Sequence, residues 1–208
     1  MYIPKSFAIA DAETLYAFMR AHNFATLVTQ HDGHLTASSI PFMVDSERGM
    51  LRAHLARAND QWNYFDGSES LVIFQGAHAY ISPTWYEEHP SVPTWNYTAV
   101  HVYGAPQLID GDATIRLMLK ELVGNHEGGR DPEWTMALPE DYLQKMLKAI
   151  VVFEIPIARV EGKFKMNQNR STVDQENVIA HLSASPEPLD QQTADVMRSL
   201  QIAKSPIP

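Results

Sequence analysis

The spacing of apolar residues changes along the chain, and each spacing predicts a different kind of element. Over residues 11–23, apolar side chains recur every three or four positions behind Asp11, a residue type that caps helices, so a helix is predicted there. Beyond this segment, apolar and polar residues alternate. Residues 24–30 and 35–42 are therefore predicted strands, joined by the Asp32-Gly33 pair that is typical of hairpin turns.

The remaining chain gives further elements by the same criteria. Strands are predicted over 50–55, 71–75, 78–82, 99–109, 150–155 and 160–166, and helices over 59–65, 112–125, 141–149, 173–182 and 193–200. Pro106 indicates an edge or a bulge, because proline cannot donate to a strand ladder. Helices do not alternate regularly with strands. The pattern therefore favours an antiparallel barrel with helical additions over a doubly wound parallel sheet.

Composition narrows the classes of function. A chain of 208 residues can bury one substantial core, and 16 basic against 25 acidic residues give a net charge of -9, which disfavours a broad basic face for nucleic acid. The absence of cysteine excludes disulfides, zinc–thiolate sites, iron–sulfur clusters and cysteine nucleophiles. No apolar run approaches the ~20 residues of a membrane span, and the opening residues lack a signal-peptide pattern. We therefore expect a cytoplasmic protein without a membrane segment.

Residues 54–97 carry the densest candidate chemistry. Three of the four tryptophans lie there, interleaved with amides, histidines and an arginine. Large flat apolar faces beside fixed polar groups suit a planar, phosphorylated ligand. A folding core alone would favour Leu, Ile and Val. A flavin-like ligand is therefore the hypothesis to test.

The segment 57–62 is the first candidate within this region. Arg57 could bind a phosphate through two N–H groups, beside the start of a helix that Asn59 or Asp60 could cap. Alternatively, Arg57 is a surface charge and Asn59 is only a cap. Asp60 could also occupy the same first-turn N–H groups.

Aromatic residues between positions 80 and 97 form the second candidate. Tyr80, Trp85, Trp95 and Tyr97 alternate with Ser82, Thr94 and Asn96, near prolines 83, 90, 93 and 106. Loops stiffened by proline lose less entropy when they hold a ligand. Contact with a ligand or with a second subunit is one interpretation, and ordinary packing is the other.

Residues 162–171 form the third candidate, with three cations and three amides in a chain that is otherwise acidic. These side chains could hold a phosphate, a ribityl chain or a carboxylate. The alternative is a solvated strand end that leads into a helix capped by Ser171 or Asp174. No metal-binding, Walker, Rossmann or nucleophile-elbow motif is present, so no metal site and no catalytic residue is assigned.

Five blocks of the sequence, in their order and spacing, resemble the PaiB family of FMN-binding split-barrel proteins, usually described as negative transcriptional regulators. They are residues 1–4, 54–59, 78–83, 93–97 and 168–171, and the resemblance extends to about residue 182. It implies a mainly β fold with helical additions (α+β), a six-stranded antiparallel split β-barrel. It further implies a homodimer with FMN at the subunit interface. Residues 1–170 would be the flavin-binding domain, and 171–208 a helical extension packed on the barrel.

The resemblance also implies a set of cofactor-binding residues. Ser38, Ser39 and His54 would border the flavin ring, with Arg57 and Asn59 toward the phosphate. Trp95 and Asn96 would approach from the partner subunit, and Lys165, Gln168 and Arg170 would line the far side of the groove. Trp62 and Tyr80 complete the set. The chain departs from the expected pattern at Asp60 and Ala77, where proline is expected, and at Asn167, where serine is common.

These observations leave three functions open. The first is a ligand- or redox-responsive regulator that binds FMN. Direct DNA binding is disfavoured, because no helix-turn-helix with a basic recognition helix is found and residues 173–182 contain no Lys or Arg. The second is an enzyme on the same fold, a flavin-dependent oxidoreductase or a haem-handling relative. The third is a ligand-free dimer whose aromatic loops serve as the interface.

Overall fold

The computed structural model describes residues 1–202, and these residues form ten strands and five α-helices. The strands are β1 (Ala8–Ile9), β2 (Phe24–His31), β3 (His34–Pro41), β4 (Met43–Asp45), β5 (Met50–Ala56), β6 (Ser70–Ile81), β7 (Thr94–Gly104), β8 (Gln107–Leu108), β9 (Ile150–Pro156) and β10 (Arg159–Lys165). The helices are α1 (Ala12–Ala21), α2 (Asp112–Glu127), α3 (Glu140–Lys148), α4 (Thr172–Ala184) and α5 (Pro188–Ile202). Short 3-10 helices lie at Lys5–Phe7, Asp60–Tyr64 and Pro83–Trp85.

Two compact units share this chain. The first contains Met1–Phe18, Phe74–His101 and the described residues from Glu161 onward, and the second contains Met19–Ile73 and Val102–Val160. The strands belong to two antiparallel sheets of six and four strands within residues 1–202. Over the same residues, no helix combines the length and apolarity that crossing a bilayer requires.

The first unit packs helices α4 and α5 against a sheet with the strand order β1-β10-β7-β6. Buried residues at helical spacing on α4, Val178 and Leu182, meet Met197 of α5 and Ile81 at the end of β6. On β10, a side chain at Gly162 would collide with Leu15 of α1, so a glycine allows that helix to lie close to the strand.

The second unit contains the hairpin β2–β3, the first residues of β6 (70–73), which pair with β2, and the four-stranded sheet β4-β5-β9-β8. Asp32 and Gly33 adopt φ angles of 48° and 80°, the left-handed pair that a two-residue hairpin turn requires. Helix α2 packs Met118 against Met43 of β4 and Val152 of β9. Phe153 of β9 contacts Phe42 and Phe65 in the core of this unit.

The predicted class, mainly β with helical additions, is confirmed, and several predicted boundaries are corrected. The separate strands predicted over 71–75 and 78–82 are one twelve-residue strand, β6. The strand predicted over 99–109 is interrupted before Pro106, giving β7 and β8. The helix predicted over 59–65 is a 3-10 helix, and the short strands β1 and β4 were not predicted. The proposed division at residue 170 stays a prediction.

Candidate functional site

The twelve residues predicted to bind the cofactor divide equally between the two units. The first unit holds Tyr80, Trp95, Asn96, Lys165, Gln168 and Arg170, and the second holds Ser38, Ser39, His54, Arg57, Asn59 and Trp62. Each unit supplies a distinct group of contacts.

Lys165 is fixed by the start of a neighbouring strand in the first unit. Its Nζ donates to Thr94 Oγ1 and to the carbonyl oxygen of Trp95, both at 2.5 Å. Burial, followed by the nearby charge of Lys163, lowers the pKa of Lys165. Because an ammonium group has three N–H donors, these two bonds leave one donor for an anion.

Two exposed aromatic side chains lie on strands β6 and β7 of the same unit. Tyr80 is 48% exposed and Trp95 is 54% exposed, and their rings meet edge to face with centroids 6.1 Å apart. The imidazole of His78, two residues before Tyr80 on the same face of β6, lies 6.3 Å from the Trp95 ring. A planar ligand could stack on this aromatic surface.

A cleft of about 210 Å³ brings Lys165 together with Arg170. The Arg170 guanidinium lies 4.4 Å from the centre of the Tyr86 ring, and its Nη1 donates to Ser91 Oγ at 3.2 Å. Asn167, in the left-handed region at φ 60°, donates from Nδ2 to the Tyr86 hydroxyl at 2.9 Å. Two cations and no carboxylate line this cleft, so its chemistry suits an anion.

Gln168 and Asn96 have other partners in the same unit. Gln168 Oε1 accepts from the Met166 N–H at 2.6 Å, and Nε2 donates to the Phe164 carbonyl at 2.5 Å, so this amide fixes the turn after β10. Asn96 is fully buried, and its Nδ2 lies 3.5 Å from the sulfur of Met197. Cofactor binding by these two residues stays a prediction, and Asn96 offers no exposed surface to support it.

In the second unit, Asn59 links the 3-10 helix to the hairpin. Its Oδ1 accepts from the Gln61 N–H at 3.0 Å, and its Nδ2 donates to Ser38 Oγ at 2.9 Å. Ser39 points to the opposite face of β3, where its Oγ lies 3.5 Å from Thr26 Oγ1. Ser38 and Ser39 therefore face opposite sides of β3, and their predicted contacts with the flavin ring stay a prediction.

The Arg57 guanidinium donates hydrogen bonds to backbone carbonyls of the chain itself. Nε donates to the Lys148 carbonyl at 2.8 Å and Nη2 to the Ile150 carbonyl at 2.7 Å, which use two of its five N–H groups. The indole N–H of Trp62 donates to the Arg57 carbonyl at 3.0 Å, and the guanidinium lies 5.9 Å from the Trp62 ring. This arginine anchors the end of helix α3, and its predicted contact with phosphate is untested.

His54 lies on β5 opposite Val152 of β9. Burial lowers the pKa of this imidazole, so it is neutral near neutral pH. Its Nδ1 is buried and has no hydrogen-bond partner within the part of the chain that the structure describes. An unused ring nitrogen of this kind is available to a polar ligand or to water.

Sequence reasoning missed two polar residues that organise these groups. Gln61 is 1% exposed, and its Nε2 lies 3.2 Å from the carbonyl oxygens of Leu27 and Thr36 and from Thr29 Oγ1. Asp174 is fully buried and accepts from two backbone N–H groups of the loop that follows β6. In the sequence, only Asp174 carried a signal, as a possible helix cap. The hydrogen-bond partners of both residues are distant in sequence, so local patterns do not reveal these contacts.

Comparisons with known proteins show the family of the chain. Residues 1–159 match a family model described as "Putative FMN-binding domain". The chain is 37% identical over 202 residues to "Protease synthase and sporulation protein PAI 2" of Bacillus subtilis (strain 168), covering 95% of this chain and 96% of that protein.

Solved structures resemble the chain in fold. An FAD and haem binding protein from Mycobacterium smegmatis superposes with a TM-score of 0.62 at 18% identity, covering 83% of this chain and 79% of the other. The flavocytochrome Anf3 from Azotobacter vinelandii superposes with a TM-score of 0.60 at 15% identity, covering 78% and 72%. The expected flavin-binding split-barrel fold class is confirmed.

Proposed function

The chain belongs to the family of FMN-binding domains and is of the PaiB type, and on this basis we propose that it is a cytoplasmic homodimer that uses bound FMN as a ligand- or redox-responsive regulator. FMN is the cofactor of this family. The bound flavin would supply the redox chemistry, and the protein would supply stacking, anion binding and hydrogen bonds.

The observation that carries the proposal is the position of Lys165. Its ammonium group is held by Thr94 and by the backbone carbonyl of Trp95, in a cleft that also contains Arg170, and the Trp95 and Tyr80 side chains of the same unit are exposed. A flavin mononucleotide combines a flat ring with a phosphate. Its ring would stack on one of the two rings, Tyr80 or Trp95, which lie nearly perpendicular to each other, and its phosphate would enter the cleft beside the two cations.

The size of the cleft supports a dimer. At about 210 Å³ it lies below the ~300 Å³ at which small-molecule sites usually begin, so it would hold the phosphate end and leave the ring outside. Tyr80 and Trp95 are half exposed, and a ring stacked on either of them would keep one face in water. A second copy of the chain would cover that face, as exposed aromatic residues commonly do at subunit interfaces.

A regulatory role fits the described groups better than direct operator binding. The chain carries a net charge of -9, and helix α4 contains Asp174 and Glu176 but no lysine or arginine. Binding to DNA phosphates requires a clustered basic face. We therefore propose that FMN binding or reduction alters a protein partner or a small-molecule equilibrium, and that the protein does not read DNA directly.

The test begins with the absorbance spectrum of the purified protein. FMN is then titrated into the protein, and binding is monitored by flavin fluorescence. We expect saturable binding with one FMN per chain and a dimer by sedimentation velocity. Lys165→Met should bind FMN on the order of tenfold more weakly, because it removes a charge-assisted bond. Lys145→Met, an exposed lysine on α3, is the matched control and should bind like the wild type.

Four outcomes would overturn parts of the proposal. Failure to bind added FMN would remove the flavin function. FMN binding that is unchanged in Lys165→Met would show that the phosphate lies elsewhere, with the Arg57 segment the next to test. NAD(P)H-dependent flavin reduction with turnover of an acceptor would favour an enzyme, and salt-resistant retention of one promoter sequence would contradict the indirect regulatory role.

A further inference from the structure

The second unit contains a pocket of about 470 Å³ that no predicted flavin-binding residue lines. It is formed by helix α2, by the segment 133–137 and by Leu143 of helix α3. We call it the α2–α3 pocket. Its volume lies within the ~300–1,000 Å³ range of small-molecule sites.

Helix α2 presents two different faces. Ile115, Met118 and Leu122 pack in the core of the unit. The pocket is lined by another stripe of the helix, Arg116, Lys120, Val123 and Gly124, spaced by one and two turns. Packing of α2 on the sheet therefore does not fill the pocket.

The walls of the pocket are apolar and aromatic. Trp134 is 49% exposed and lines the pocket with Met136 and Leu143. The backbone N–H of Trp134 donates to Glu127 Oε2 at 3.4 Å, near the end of α2. This bond ties the Trp134 segment to the helix. An indole held beside apolar side chains in this way offers a stacking surface to a flat or aliphatic group.

Gly124 contributes to the open space of the pocket. It lies inside a sixteen-residue helix, where glycine costs ~1 kcal/mol relative to alanine. A Cβ built at this position would meet nothing within 4 Å, so neighbouring atoms do not require glycine there. The missing side chain leaves room on the pocket wall for a molecule to approach the helix backbone.

The charges of the lining indicate the polar end of the ligand. Lys120 has no hydrogen bond or ion pair within residues 1–202, whereas Arg116 is bonded through both terminal nitrogens to Glu140. Glu133 is the carboxylate in the lining and disfavours ligands with several negative charges. We propose that the α2–α3 pocket binds a small molecule with one carboxylate and an aromatic or aliphatic body, the carboxylate at Lys120 and the body between Trp134 and Leu143.

This proposal does not depend on FMN, and its test uses the full chain without added flavin. The probe is 1-naphthaleneacetate, with the neutral 1-naphthaleneethanol for comparison, and binding is measured by isothermal titration calorimetry. We expect saturable binding of the acid at one molecule per chain. The alcohol should bind more weakly than the acid, because it cannot form the ion pair with Lys120.

Three variants test the assignment. Gly124→Leu should abolish binding by filling the pocket, while the melting temperature stays equal or rises, because leucine favours helix more than glycine does. Lys120→Met should weaken binding of the acid about tenfold and leave the alcohol unchanged. Glu133→Gln should strengthen binding of the acid, and Lys145→Met on the exposed side of α3 should change neither ligand.

Three results would overturn all or part of the proposal. The site is refuted if the wild type shows no saturable binding of the acid, or if folded Gly124→Leu binds it like the wild type. If the acid and the alcohol bind equally and Lys120→Met affects neither, the carboxylate assignment is wrong.

Discussion

The ammonium group of Lys165, at the end of β10, donates to the backbone carbonyl of Trp95, at the start of β7, at a distance of 2.5 Å. This bond and a second one to Thr94 Oγ1 fix a partly buried cation at the start of β7, where the Trp95 side chain is exposed. A long, flexible side chain is thereby held in one place before a ligand arrives, which lowers the entropy cost of binding.

FMN affinity should therefore fall as the pH rises toward the titration of Lys165. Burial and the nearby Lys163 lower the pKa of Lys165 below its ordinary value of 10.5, so its charge is lost earlier than that of an exposed lysine. An anionic phosphate binds the protonated form. The dissociation constant for FMN, measured from neutral pH to about pH 10, should rise in the wild type.

Lys165→Arg is the control for this pH dependence. Arginine stays charged throughout the range, so the variant should lose the rise in dissociation constant even if its affinity at neutral pH is lower. An identical rise in both proteins would mean that another group, on the protein or on the flavin, causes it.

Arg57 should contribute to stability through helix α3. Arg57→Ala removes two hydrogen bonds to the Lys148 and Ile150 carbonyls. We expect the free energy of unfolding to fall by about 1–2 kcal/mol. This is less than for a buried arginine, because Arg57 is exposed and its bonds compete with water. Arg57→Lys should recover little, because one ammonium group cannot reproduce the two-pronged guanidinium contact. Urea unfolding measures both changes.

The control for Arg57 is Arg48→Ala, which removes an exposed arginine 4.0 Å from Asp45. Surface pairs of this kind contribute little, so a change below about 0.5 kcal/mol is expected. Equal stability of Arg57→Ala and the wild type would show that the α3 contacts are dispensable. FMN titration of the same folded variant separately tests the predicted role of Arg57 at the phosphate.

Elements governed by neighbouring residues were predictable from the sequence. The Asp32-Gly33 turn formed as expected because it depends on two residues that tolerate positive φ. The cap of α1 formed because Asp11 Oδ2 can reach the Thr14 N–H three residues on, at 2.8 Å. In both cases the cause and its effect lie within a few residues.

Contacts between distant segments were not predictable. Strand β6 continues through Gly76 and Ala77, where the sequence suggested a break, because strand pairing overrides weak local preference. Arg57 meets a carbonyl 91 residues away. The burial of Asn96 against Met197 depends on how α5 packs, which no local pattern around residue 96 reveals.

Acid should destabilise the protein in part through His54. Burial lowers the pKa of His54 below its ordinary 6.5, so the unfolded chain binds a proton that the folded chain resists. Stability contributed by the neutral imidazole is present above pH 6.5 and is lost as the pH falls through the lowered pKa. The pKa values of His22 and His101 are also lowered, and burial is the largest cause in each case.

Urea midpoints at about pH 8 and about pH 5 measure this effect. His54→Gln should show a smaller loss on acidification than the wild type, since one of the contributing groups is gone. His34→Gln, at the exposed β2–β3 turn, should behave like the wild type. An undiminished acid loss in His54→Gln would assign the effect to other groups.

Asp174 should couple helix α4 to the shape of the anion cleft. Its buried Oδ1 accepts from the N–H groups of Glu87 and Glu88, at 2.8 and 3.4 Å. The same loop carries Ser91, which bonds Arg170, and Val92, which lines the cleft. Removing the carboxylate leaves two N–H groups without their acceptor and releases the loop from the helix.

Asp174→Ala should therefore lower the free energy of unfolding by about 2–4 kcal/mol and also weaken FMN binding. Asp174→Asn retains an oxygen that can accept from the Glu87 N–H, so it should recover part of both losses. Ser171→Ala, which removes only the hydroxyl that caps α4 at Asp174, should cost about 1 kcal/mol without affecting FMN. Urea unfolding and FMN titration on one set of proteins separate these effects. If Asp174→Ala loses stability but binds FMN like the wild type while folded, the carboxylate supports the helix and the loop does not shape the cofactor site.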